Sequence, residues 1–223
     1  MQKIFNADIL DLITSDYDLI YAARETLGNG KEAVSFHLFD PVEDSFERIP
    51  VNQYISCKFG SDGFDAARNL VDFITCSLAT LPDGRIAASY PDGRLKILSD
   101  SFMPVDERKI EYMGHPAKSI IAKGNDLWFC VPDGNAVINY SLKYNRIEFR
   151  IGSSKDKTFS HPTDLSYYDD MLYVCTANSY KIRTLDLNDF SVRDYKLFHE
   201  PVYKYFRIGE KEYVYLRTGV YSL

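Results

Sequence analysis

The sequence predicts an all-β protein that is built from a repeated four-stranded unit. Tyr and Phe occur 17 and 14 times among 223 residues, and both favour the half-buried surface of a β-sheet. Five short apolar segments each follow a turn rich in Asp, Gly, Asn or Lys, and they begin at residues 19, 86, 127, 172 and 213. Three of the four intervals between these positions are 41–45 residues long, which is the length of one propeller blade. We therefore expect a five-bladed β-propeller.

The third and fourth units show the expected plan of a blade most clearly. The third divides into apolar segments at residues 119–122, 127–131, 136–142 and 146–151, and the fourth at 164–167, 172–176, 181–187 and 192–198. Turns that contain Asp-Gly or Asn separate the segments, and these residues tolerate the positive φ angles that tight hairpin turns require. The second segment of each unit is almost continuously apolar, which is typical of a strand covered on both faces.

These two units also share particular residues at equivalent places. His115-Pro116 and His161-Pro162 precede the first strand, and Asn135 and Asn178 precede the third. In these features residues 75–187 resemble the repeats of NHL and gluconolactonase-like propellers, an architecture related to that of WD40 proteins. The resemblance implies a propeller fold. It also implies, for the enzymes of that group, a divalent metal held by Glu, Asn and Asp at one mouth of the channel.

The two ends of the chain are expected to share one blade. After Gly219 only residues 220–223 remain, enough for a third strand of the fifth unit but not for a fourth. Residues 2–6 form an unassigned strand ahead of the first unit. We predict that this N-terminal strand closes the last blade and that residues 1–223 form a single propeller domain, because closure removes exposed sheet edges.

The first interval is longer than the others and points to an insertion at residues 52–74, between blades one and two. A short helix that begins near Ser61 and carries Phe64, Ala67, either Leu70 or Val71, and Ile74 on one face fits this segment. The alternative is a six-bladed propeller in which residues 54–59 are the remnant strand of a degenerate blade.

Composition limits the possible partners and location. The net charge of −6 argues against a nucleic-acid partner, which would need a basic surface. No apolar stretch is long enough for a signal peptide or a membrane span. The cysteines lack the close spacing of a zinc site or a disulfide framework, so we expect no metal, no cofactor and a cytoplasmic location. They are Cys57, Cys76, Cys130 and Cys175.

Candidate ligand-binding residues lie where the first strand of each blade begins, because in a propeller these positions surround one mouth of the channel. The mixture of one cation, one acid and two hydroxyl groups does not form the oxygen cage that Ca²⁺ or Zn²⁺ needs. Two histidines that precede first strands are either ligand-binding groups or structural residues of the blade entry. The candidates are Ser77, Lys118, Asp164, Tyr203, His115 and His161.

The function predicted from these residues is a non-catalytic, ligand- or protein-binding scaffold, and we expect no enzymatic activity. The sequence contains no P-loop, G-x-S-x-G or H-E-x-x-H motif. Two alternatives remain open. One is a gluconolactonase-like, metal-dependent hydrolase or lyase that uses His115, His161 and Asp164. The other is a carbohydrate-binding lectin, for which the aromatic and basic residues at 195–207 are a candidate surface.

Overall fold

Five four-stranded antiparallel sheets make up almost the whole of the protein, which is a five-bladed β-propeller, as predicted. The structure is a computed structural model and describes residues 1–15, 17–60, 74–156 and 158–223. In four of the sheets the strands follow one another in chain order, so each of these blades is a simple up-and-down meander.

The elements are numbered in chain order, beginning with β1 (Gln2–Phe5). Blade one consists of β2 (Asp8–Thr14), β3 (Leu19–Thr26), β4 (Glu32–Asp40) and β5 (Ser45–Ile49), and it is followed by α1 (Val51–Phe59). Blade two consists of β6 (Ser77–Thr80), β7 (Ile86–Ser89), β8 (Arg94–Leu98) and β9 (Pro104–Lys109). A two-stranded ribbon, β10 (Glu111–Tyr112) and β11 (His115–Pro116), leads into blade three.

Blade three consists of β12 (Lys118–Lys123), β13 (Asp126–Val131), β14 (Ala136–Ser141) and β15 (Arg146–Ile151). Blade four consists of β16 (Pro162–Tyr168), β17 (Met171–Thr176), β18 (Lys181–Asp186) and β19 (Val192–Leu197). Blade five contains β20 (Val202–Ile208), β21 (Lys211–Leu216) and β22 (Gly219–Ser222) together with β1.

Burial along the strands explains why the apolar segments of the sequence are placed as they are. After their first residue, β13 and β17 are buried at every position, whereas the fourth strands β9 and β19 are mostly exposed. The second strand of a blade lies between two neighbours and is covered on both faces, so it requires the continuous apolar run seen in the sequence.

The predicted closure by the N-terminal strand is confirmed. Strand β1 pairs antiparallel with β22, with Lys3 opposite Tyr221 and Phe5 opposite Val220. The ring of Phe5 stacks on Tyr21 with a centroid distance of 4.7 Å and meets the edge of Phe46 at 5.4 Å. The strand is therefore held both by a hydrogen-bond ladder and by an aromatic side chain.

The six-bladed alternative is wrong. It required residues 54–59 to be the remnant strand of a degenerate blade, but these residues belong to helix α1. The helix is fixed to β2 by a buried ion pair. The ammonium group of Lys58 lies 2.6 Å from a carboxylate oxygen of Asp11, and the hydroxyl group of Tyr54 donates to the same oxygen at 2.5 Å. The predicted helix that begins near Ser61 falls on residues 61–73, which lie outside the described part of the chain.

Contacts divide the chain into two compact units. The first comprises Met1–Thr75, Phe206–Val214 and Thr218–Leu223, and it holds blade one, α1 and the paired strands β1 and β22. The second comprises Cys76–Tyr205 and Tyr215–Arg217, and it holds blades two, three and four. All groups discussed below as a candidate site belong to the second unit.

Candidate functional site

Hydroxyl groups link the first strands of blades two, three and four. Strand β12 contacts both β6 and β16. The hydroxyl oxygen of Ser77 on β6 accepts a hydrogen bond from the backbone N–H of Ile120 at 3.2 Å. The hydroxyl oxygen of Ser119 accepts one from the N–H of Leu165 at 3.2 Å and donates to the carboxylate of Asp164 at 2.7 Å. Each inner strand is thus attached to the next through a serine side chain.

Local irregularities in β12 and β16 place these side chains. The register of β12 shifts between Lys118 and Ile120, which leaves Ser119 as an extra residue with a positive φ of 47°. Strand β16 has the same kind of shift at Thr163, whose hydroxyl group donates to the carbonyl oxygen of Val202 at 2.9 Å. Such bulges often turn a side chain out of its regular direction. Here each one turns a hydroxyl group towards the next blade.

The carboxylate of Asp164 is the most enclosed charge in this group, with 13% of its side chain exposed. Besides the hydrogen bond from Ser119, it has the ammonium group of Lys204 at 3.8 Å from its other oxygen. Burial, and after it the negative charge of Asp164, raises the pKa of the Cys130 and Cys175 thiols well above the usual range. Both thiols therefore stay protonated at neutral pH and are poor nucleophiles.

The other two first-strand candidates, Lys118 and Tyr203, are half-buried. Lys118 is paired in the ladder with Cys130, and its ammonium group forms no ion pair with another described residue. Tyr203 packs its ring against Tyr215 with a centroid distance of 5.5 Å. Ser77, Lys118, Asp164 and Tyr203 lie, in that order, on the first strands of blades two to five.

The two candidate histidines have different surroundings. His115 lies in β11 and pairs with Tyr112 in the ribbon ahead of blade three. His161 has a positive φ of 54°, its backbone N–H donates to the side chain of Asn135 at 2.8 Å, and its ring nitrogen Nδ1 lies 3.6 Å from a carboxylate oxygen of Asp133. Equivalent positions in the repeat therefore do not give the two rings equivalent contacts.

Sequence reasoning missed Ser119 and Lys204, although each touches Asp164. Their one signal in the sequence is proximity, because Ser119 follows Lys118 and Lys204 follows Tyr203. Within the described ranges no three His, Cys, Asp or Glu side chains are grouped so that they could hold a metal ion. The same ranges contain no helix of sufficient length and apolar character to cross a membrane.

Comparison with known proteins supports the fold alone. No protein-family model and no curated protein matches the sequence. Among solved structures, virginiamycin B lyase from Staphylococcus aureus is similar with a TM-score of 0.52 and 10% identity, over 98% of this chain and 72% of that one. The predicted resemblance to propeller repeat proteins is thereby confirmed at the level of fold.

Two further neighbours are propeller structures of other kinds. A chain of a nidogen/laminin complex has a TM-score of 0.52 and 11% identity, over 95% of this chain and 73% of that one. The WD40 repeats of RRP9 have a TM-score of 0.52 and 11% identity, over 94% of this chain. This chain spans 58% of the length of the RRP9 structure. Since one fold serves a lyase, a protein complex and WD40 repeats, the neighbours do not assign an activity.

Proposed function

We propose that this protein is a non-catalytic binding module whose partner docks at the first strands of the second unit, over Lys118, Asp164 and Tyr203. The observation that supports the proposal is that polar side chains there form hydrogen bonds with neighbouring strands. The hydroxyl groups of Ser119 and Thr163 and the carboxylate of Asp164 are engaged with neighbouring strands. These contacts hold the first strands of neighbouring blades together.

The pair formed by Ser119 and Asp164 is the arrangement nearest to a nucleophile with its base. A nucleophilic serine needs a neighbouring base that is free to take its proton. The oxygen of Ser119 already accepts the N–H of Leu165, and the charge of Asp164 is partly balanced by Lys204. This arrangement favours a structural role for the pair.

Lys118 supplies the recognition group in this proposal. Its ammonium group is half-buried on an inner strand and forms no ion pair with another described residue, so a carboxylate or carbonyl group of the partner can accept its hydrogen bonds. Tyr203 adds an amphipathic ring of the type common in recognition surfaces. We therefore propose a protein segment with an acidic side chain as the partner, and the cytoplasm as the compartment in which the four cysteines stay reduced.

Photo-crosslinking tests the docking site directly. A photo-reactive amino acid placed at Lys118 is expected to capture a discrete partner in cells, whereas the same group at Tyr144, an exposed residue of the turn between β14 and β15, is not. The captured protein is then purified, and its affinity is measured for the wild-type chain and for Lys118→Glu. We expect binding at least about tenfold weaker in the variant, because an attractive charge becomes repulsive.

Two results would overturn this function. Equal affinity of the partner for the wild-type chain and Lys118→Glu would remove the proposed site. Saturable turnover of lactones or esters that is lost in Asp164→Asn without a change in melting temperature would identify an enzyme.

A further inference from the structure

A cavity of about 370 Å³ lies between blades three and four, away from the start of the first strands. Its volume is at the lower end of the range of small-molecule sites, roughly 300–1,000 Å³. Blade three contributes one face of its sheet, and blade four contributes the turn between β18 and β19. The lining residues are Lys123, Gly124, Asp126, Trp128, Asn139, Phe149, Leu187 and Phe190.

Three of these residues form a row across neighbouring strands of blade three. Asn139 on β14 is directly opposite Trp128 on β13 and Phe149 on β15, so all three side chains project from the same face. The order of the row depends on an irregularity in β15. The register shifts between Asn139 and Tyr140, and without this shift Glu148 would stand beside Asn139 in place of Phe149.

Phe190 closes the aromatic wall from the side of blade four. Its ring lies 5.3 Å from that of Phe149 and 6.5 Å from that of Trp128, measured between ring centroids. Its backbone has a positive φ of 58°, which is uncommon for a bulky residue. Phe149 and Phe190 are 51% and 39% exposed although they line a concave site. Both rings are therefore partly exposed where they line the cavity.

Two polar side chains that line the cavity form no hydrogen bond with another described residue. Asn139 is 2% exposed and Trp128 is 5% exposed. Neither the side-chain amide of Asn139 nor the indole N–H of Trp128 forms a hydrogen bond with another described residue. Neither belongs to the described side-chain atoms that are buried without a partner, so both groups are in reach of solvent in the cavity. The amide of Asn139 and the indole N–H of Trp128 are therefore available to a ligand in the cavity.

The rim determines the charge of that ligand. Lys123 and Asp126 bring one positive and one negative side chain, and the ammonium group of Lys123 lies 5.1 Å from the ring centre of Tyr167 and 3.9 Å from a carboxylate oxygen of Asp170. An anionic ligand would meet Asp126, and a cationic ligand would meet Lys123. A neutral molecule with both hydroxyl groups and an apolar face avoids both conflicts.

From this combination we infer that the cavity is a binding site for a neutral pyranose sugar. The C–H face of the sugar ring packs on Phe149 and Phe190, since aromatic faces carry partial negative charge and attract C–H groups. Its hydroxyl groups pair with the amide of Asn139, the indole N–H of Trp128 and the carboxylate of Asp126. This site is independent of the proposed docking of a protein on Lys118, and either can fail alone.

The chain contains a single tryptophan, so its fluorescence reports on this cavity alone. Titration of the purified protein with glucose, galactose, mannose, N-acetylglucosamine and maltose is expected to give a saturable change in emission with at least one of them. The acyclic polyol sorbitol has similar hydroxyl groups but no ring face and is expected to give none. Millimolar concentrations suffice for the weak affinity typical of small neutral ligands.

Two variants identify the groups responsible. Asn139→Leu removes the amide but keeps a similar volume, and it should weaken binding at least about tenfold while the melting temperature is unchanged or higher. Phe149→Ala, at a half-exposed position, should weaken binding in the same way and provides a second measurement should Asn139→Leu fold poorly. Tyr144→Ala is the matched control, because Tyr144 is a 59% exposed aromatic of the same blade outside the cavity.

The inference is overturned by any of three outcomes. No pyranose changes the emission; or binding is retained in both Asn139→Leu and Phe149→Ala; or adenine or indole binds in the cavity while no sugar does. The last outcome would assign the aromatic wall to a planar ligand instead.

Discussion

Replacing Phe5 by alanine tests how strongly the N-terminal strand holds the last blade. The side chain is half-buried and contacts three aromatic rings, at centroid distances of 4.7 Å for Tyr21, 5.4 Å for Phe46 and 6.2 Å for Phe39. A fully buried Phe removes 150–250 Å² from water, so a half-buried one removes about 100 Å², worth about 2.5 kcal/mol. Alanine retains a small part of this contribution, whereas the lost ring stacking adds to the destabilisation.

We therefore expect Phe5→Ala to lower the free energy of unfolding by about 2–3 kcal/mol, which corresponds to a fall in melting temperature of roughly 5–10 °C for a domain of this size. Thermal unfolding followed by circular dichroism measures the change. Gln2→Ala is the control, because Gln2 lies on the same strand, opposite Ser222, but is exposed. A melting temperature for Phe5→Ala equal to that of Gln2→Ala would show that the closing strand is not held by its aromatic contact.

Three further changes test other parts of the structure. Lys58→Met should lower the free energy of unfolding in urea by about 3–5 kcal/mol, because it leaves the Asp11 carboxylate buried without its cation. Adding Asp11→Leu should restore much of the lost stability. An unchanged stability of Lys58→Met would refute the buried ion pair. Gly152→Ala should destabilise the protein by more than about 1 kcal/mol, because its φ is +87° and a Cβ atom would lie 2.6 Å from a carbonyl oxygen. Gly28→Ala is the control, since a Cβ atom there meets open space. Equal loss of stability in the two variants would contradict this prediction. Iodoacetamide should modify exposed Cys57 ahead of the three buried cysteines, and mass spectrometry would reveal the opposite order. Partial desolvation, and after it the negative charge of Asp18, raises the pKa of the Cys57 thiol, so its rate of modification should continue to rise with pH above the ordinary thiol range.

The propeller was predictable because its signals are local and repeated. Each blade supplies its own apolar second strand, and blades one to four also supply turns that contain Asn or Asp-Gly. The closing strand was predictable because the residues after Gly219 supply only a third strand for blade five and leave the place of the fourth to another segment. Helix α1 was not expected, because nothing in residues 51–59 signals that Lys58 will reach a carboxylate on β2 some forty-seven positions earlier.

The candidate site was predictable only as a set of positions. Repeat alignment placed Lys118 and Asp164 on first strands, but the contacts of Asp164 depend on the bulge at Ser119, which changes which residues face the next blade. The cavity depends in the same way on the register shift beside Asn139. A one-residue irregularity of this kind leaves almost no trace in the hydrophobic pattern, because the flanking residues alternate much as they would in a regular strand.

The pairing of β1 with β22 also affects how the chain is made. Gln2 leaves the ribosome long before its partner Ser222 exists, so β1 must wait through the synthesis of four complete blades. Contacts between residues so distant in sequence form slowly, and an unpaired strand is prone to associate with other chains meanwhile. The last blade of this propeller can therefore be completed only after β22 has been synthesised and meets β1.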